Sequence, residues 1–147
     1  MRRVKAPRLT LAGPGDTQRM DVRFVAGESY EVMVREHRVV VDQPVDVGGQ
    51  DAAPTPTELF VVSLATCVAF YAGRYLSRHG FVRDGLGVSA EYQMATDRPA
   101  RVAAVHLALR VPADLPPERR EALVAVASHC TVHNTLVSPP SVTIDVR

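Results

Sequence analysis

The chain has 147 residues, enough for one compact domain with a real core, and its 17 basic and 16 acidic residues leave a formal net charge of +1. That balance gives no electrostatic case for nucleic acid, and a sequence with no tryptophan, four Tyr and four Phe has little from which to build a base-stacking platform. Arg2, Arg3 and Lys5 are not followed by the apolar run of a secretory signal, so a cytoplasmic protein is expected.

In chain order, residues 1–20 are rich in Pro, Gly and Arg and are expected to form an irregular N-terminal arm, with a short strand near residues 9–12. Residues 21–147 are expected to form a single domain. Residues 21–26, 30–35 and 38–42 are rich in β-branched side chains and are separated by Gly27-Glu28-Ser29 and Glu36-His37, the pattern of a three-stranded antiparallel meander. Residues 43–53, with Pro44 and the adjacent Gly48 and Gly49, read as a loop and a candidate pocket rim.

Residues 54–80 read as one long helix. Thr55 and Glu58 have the spacing of a capping box, Pro56 suits the first turn, and Gly80 after Arg78-His79 suits the end. From Leu59 to Gly73 there is no charged residue, so every face is apolar and the helix should be enclosed. The uncharged run is shorter than the ~18 residues a bilayer span needs, which favours a core helix over a membrane segment. Six short strands give such a helix little cover, and a second subunit is therefore expected to help bury it as a homodimer.

After Gly80, residues 87–94 alternate apolar and polar as a strand with one wet face should, and residues 102–111 resume as a second strand beyond an Asp97-Arg98-Pro99 turn. Asp114 is the candidate N-cap of an amphipathic helix running to about His129, with Leu123, Val126 and Ala127 on its buried side. Residues 130–136 read as a helix exit and turn, and residues 141–146 as a final alternating strand. The expected class is α+β, with antiparallel sheets in the order βββ-α-ββ-α-β around the long helix.

The two cysteines, Cys67 and Cys130, stand 63 residues apart, which is neither a C-x-x-C motif nor a zinc knuckle. In a reducing compartment they are not a structural disulfide, although a transient redox pair is open to them. Cys67 lies about three turns inside the long helix, beyond the reach of the helix dipole, and burial alone would raise its pKa. A reactive Cys67 thus requires a cation from elsewhere, with Arg74 on the same helix face and Arg23, Arg35 or Arg38 on the meander as candidates. The plain reading is a small buried hydrophobe. Cys130, flanked by His129 and His133, admits three roles: a metal ligand, a Cys–His nucleophile oriented by Asn134, or a resolving thiol. H-C-x-x-H supplies three donors where a closed zinc site wants four, so no metal or cofactor is expected.

The segment PTPTELFVVSLATC, followed by HCTVHNTL, resembles the OsmC/Ohr family of osmotically inducible and organic hydroperoxide resistance proteins, and the Gly48-Gly49 loop is similar to the family's loop before its long helix. The resemblance implies an intertwined α+β homodimer with active sites at the subunit interface. It also implies that Cys67 is the peroxidatic thiol and Cys130 the resolving one, with a dithiol reductant such as a lipoyl protein reopening the disulfide. The chain departs from the hydroperoxide resistance branch in three places. Its first turn, Gly27-Glu28-Ser29, has no arginine; the family's glutamate falls on Thr57; and Thr131 stands where proline is usual. Glu58, nine residues before Cys67, is turned about 180° round the helix from it and suits a capping role. These features match the broader OsmC-like branch. The expected function is a thiol peroxidase reducing organic hydroperoxides; the alternative is a dimeric small-molecule-binding protein whose thiols are not catalytic. Neither nucleic acid nor membrane is an expected partner.

Overall fold

The computed structural model describes residues 13–147, so most of the expected N-terminal arm, including the strand near residues 9–12, lies outside the described part. The chain divides into two compact units, residues 1–56 and 57–147.

The first unit is the meander. Strands β1 (Asp21–Ala26), β2 (Ser29–Val34) and β3 (His37–Val41) pair antiparallel in sequence order, with Arg23 opposite Glu31 and Val32 opposite Val39. Gly27, at φ +55°, occupies the left-handed conformation that the tight β1–β2 turn requires. Glu31 on the central strand is only 5% exposed, and it lies between two arginines. Arg23, directly across on β1, donates from Nε at 2.9 Å, and Arg38, diagonal on β3, donates to the other carboxylate oxygen. Beyond β3 a 3-10 turn, Val45–Val47, opens the loop expected at residues 43–53. Its organiser is Asp42, buried at 2% exposure, whose Oδ2 accepts from the amides of Gln50 and Ala52 at 3.1 Å each. Gly49 is obligatory here, because a Cβ would stand 1.8 Å from the carbonyl oxygen of Gln43.

The second unit begins with α1 (Pro56–Arg78), followed by β4 (Gly87–Met94), β5 (Val102–Arg110), α2 (Pro117–Ala127) and a short α3 (Thr131–Val137). Strands β4 and β5 form an antiparallel hairpin with Val88 opposite Leu109 and Tyr92 opposite Val105. Helix α1 buries Leu64, Val68, Ala72, Tyr75 and Leu76, spaced three and four apart, against Leu115, Leu123, Ala127 and Cys130. It is long and apolar enough to cross a membrane by length and composition, but this packed face makes it a core helix. Its other side is less covered than the all-apolar pattern predicts, since Phe60, Val62 and Phe70 are 38–55% exposed within the single chain. Tyr75 packs its ring into the core while its hydroxyl has no partner there; a buried donor left unmade costs about 1–3 kcal/mol.

Three expectations need correction. Residues 141–146 form no strand: Val142, Ile144 and Val146 are 78–98% exposed, because among the described residues no sheet edge pairs with this segment. Residues 130–136 are not a turn but the cap and body of α3. Asp114 does not cap α2; Pro116 occupies that position without a side-chain bond, and Pro117 fills the first turn, where a missing N–H goes unused. On α2, Leu123 and Ala127 are buried as expected, whereas Val126 is 40% exposed.

Candidate active site

Cys67 sits in the middle of α1, half-buried, one position before the core residue Val68. Cys130 ends the bend after α2 and is fully buried. The fold brings these two residues, far apart in sequence, together at one core cluster, with both thiols free. Burial pushes the Cys130 thiol above its ordinary pKa; the His133 amide works in the opposite direction, and the adjacent Cys67 adds to the rise.

The contact is held from two sides. Cys130 is the N-cap of α3 and its Sγ accepts from the backbone N–H of His133 at 3.4 Å. One turn after Cys67, the Tyr71 hydroxyl lies 3.0 Å from the Thr131 hydroxyl, tying α1 to the first residue of α3. Thr131 is the position at which the sequence departs from the family's proline, and here its hydroxyl supplies the tie. Nothing in the local sequence signals a bond that spans 60 residues.

The histidines flanking Cys130 are turned elsewhere. His133 Nδ1 donates to the carbonyl of Ser128, His129 Nδ1 donates to that of Ala125 at 2.7 Å, and Asn134 donates to the carbonyl of His129 at 3.1 Å. The Cys–His–Asn arrangement open to the sequence is therefore not assembled. Among the described residues there is also no group of three or more His, Cys, Asp or Glu that could hold a metal ion. Arg74 lies with its guanidinium 5.7 Å from the centre of the Phe70 ring, and Arg23 and Arg38 are engaged with Glu31.

An apolar cavity of about 240 Å³ opens beside this part of α1, lined by Leu64, Val68, Val105, Leu107 and Leu109, with Ser128 and His133 also on its wall. A partly buried thiol near a sealed one, beside a hydrocarbon-lined cavity, is an arrangement suited to thiol–disulfide chemistry.

A three-stranded meander, a long core helix, a hairpin and two further helices, with one cysteine on the long helix and one after the next, define an α+β protein with one partly buried and one buried thiol. Residues 48–145 match the family model of the OsmC-like proteins, and the chain belongs to that family. Solved structures agree. A candidate osmotic stress induced and detoxification response protein from Psychrobacter arcticus 273-4 superposes with a TM-score of 0.74 at 25% identity, covering 85% of this chain and 91% of the other. An OsmC-like protein from Mycoplasma pneumoniae gives 0.72 at 13% identity over 85% and 90%. An organic hydroperoxide resistance protein OsmC from Legionella pneumophila gives 0.65 at 19% identity over 84% and 91%. No curated protein matches the sequence.

Proposed function

We propose that this protein is a cysteine-based peroxidase that reduces organic hydroperoxides, with Cys67 as the peroxidatic and Cys130 as the resolving thiol. The observation that carries the reading is that a partly buried and a fully buried thiol lie together at one core cluster. Exposure supports this assignment of roles. A peroxide from solvent can meet Cys67, whereas the buried Cys130 can meet only its neighbour. The raised pKa of Cys130 keeps it as a thiol in the resting state, so that it does not compete as nucleophile.

In the first step the Cys67 thiolate attacks the distal oxygen of ROOH; the O–O bond breaks, ROH leaves with a proton, and Cys67 becomes a sulfenic acid. Cys130 then attacks that sulfur, an S–S bond forms and water departs. A dithiol reductant, such as a lipoyl protein, restores both thiols and is itself oxidised to a disulfide. The apolar cavity beside Leu64 and Val68 suits the organic part of the peroxide. A relative of the same fold is named an organic hydroperoxide resistance protein, which supports the substrate class. The exposed apolar side chains Phe60, Val62 and Phe70 on α1, with Val142, Ile144 and Val146 near the C-terminus, support a homodimer.

The test is intact mass after a few equivalents of cumene hydroperoxide. The reduced protein should lose two hydrogens, and Cys67→Ser should abolish that loss. An unchanged mass in the native protein would instead favour a binding protein with inert thiols.

A further inference from the structure

Near the C-terminal end of α1 a second cavity, of about 230 Å³, is lined by Tyr71, Arg74, Tyr75, Arg78, His79 and Val126. Arg74 and Arg78 both lie on its wall, and none of its lining residues is acidic. The ion pairs among the described residues use Arg19, Arg23, Arg38 and Arg101, so Arg74 and Arg78 have no anionic partner there. Tyr75 is only 5% exposed and its hydroxyl is the one buried side-chain polar atom without a partner among the described residues. The His79 ring lies over the Tyr75 ring at 4.1 Å and fixes it through an Nδ1 bond to the Tyr75 carbonyl. The rest of the wall is ring face and hydrocarbon.

Cations would be favourable at a helix C-terminus for the dipole alone, but the dipole does not explain why both line one aromatic cavity. An amphipathic acid does: its carboxylate would face the two arginines and its apolar part would lie against Tyr71, the Tyr75 ring and Val126. The cavity is smaller than the roughly 300–1,000 Å³ of sites for drug-sized ligands, which selects a single ring or a short chain. We infer that the Arg74–Arg78 cavity is a binding site for small organic carboxylates, separate from the thiol pair. The inference does not depend on peroxidase activity.

The experiment is a titration of the full-length reduced protein with sodium benzoate, followed by calorimetry and by NMR of the tyrosine rings, with neutral benzamide as the isostere. Saturable benzoate binding with a midpoint at or below about 1 mM is expected, and benzamide should bind at least about tenfold more weakly. Arg74→Gln and Arg78→Gln, both on exposed side chains, should each weaken benzoate about tenfold. Tyr75→Phe keeps the ring and removes only the sealed hydroxyl, so it should leave binding unchanged, as should Cys67→Ser. Equal binding of benzoate and benzamide, or an Arg74→Gln/Arg78→Gln double variant that binds as the native protein does, would overturn the inference. So would a benzoate midpoint that rises with protein concentration while benzoate dissociates a dimer, because the carboxylate would then come from a second copy of the chain.

Discussion

In the meander, the deeply placed polar side chains are two carboxylates, Glu31 between Arg23 and Arg38, and Asp42 beneath the amides of the following loop. In the larger unit the largest fully buried side chains are Leu76, Leu115, Leu123 and the thiol of Cys130. The first region thus depends on charge held in place by donors, and the second on apolar area and a sulfur kept neutral. Conditions that leave one region intact should therefore damage the other.

The largest effect should come from Leu123→Ala. Leu123 is wholly buried, and truncation should cost the helical unit about 2–5 kcal/mol, seen as a lower urea midpoint for α1 by hydrogen exchange, with the meander amides little changed. Equal loss of protection in both regions would break the contrast.

Acid should act in the reverse order. Arg38 and then Arg23 hold the Glu31 carboxyl below its ordinary range, and the amides of Ala52 and Gln43 do the same for Asp42. A carboxyl whose folded pKa is depressed contributes stability that is present above its unfolded value, near 4, and is lost as pH falls through the folded value. Protection of the β1–β3 amides should accordingly fall below about pH 4 before that of α1, and Glu31→Gln should remove part of this pH dependence.

Alkali should touch the other region. The folded pKa of Cys130 is raised, so its contribution is complete below the unfolded thiol value of about 8.5 and is lost as pH rises through the folded value. The helical unit should lose protection above about pH 9. In Cys130→Ala that loss should be absent, although the variant starts less stable because the sulfur's packing and its bond from His133 are gone.

The smallest effect belongs to Tyr71→Phe, which removes one hydrogen bond at the edge of the thiol pair. It should cost about 0.5–1.5 kcal/mol and slow closure of the Cys67–Cys130 disulfide, measured by the lifetime of the Cys67 sulfenic acid toward dimedone. An unchanged lifetime would show that the Cys130 cap alone holds the thiols together.

These contrasts also mark how far the sequence could be read. The meander, α1 and the β4–β5 hairpin were legible because their signals are local: alternation, a long uncharged run, and Gly or Pro at the breaks. Helix α3 escaped because its cap is a cysteine, where the readable signature is Ser, Thr, Asp or Asn. The absent strand at residues 141–146 shows the opposite error, since alternation marks a segment able to pair but not the presence of an edge to pair with. Glu31 and Asp42 gave no warning of burial, because their partners come from neighbouring strands and a loop amide cradle. The pairing of Cys67 with Cys130 followed from family resemblance, and the Tyr71–Thr131 tie that accompanies it had no sequence signature.

The sulfur cap of α3 has one more consequence. A divalent sulfur keeps two lone pairs whether its second bond is to hydrogen or to another sulfur, so the atom that accepts the His133 amide has an acceptor to offer in either state. The start of residues 131–137 is thereby anchored on an atom whose bonding can change without taking its acceptor away.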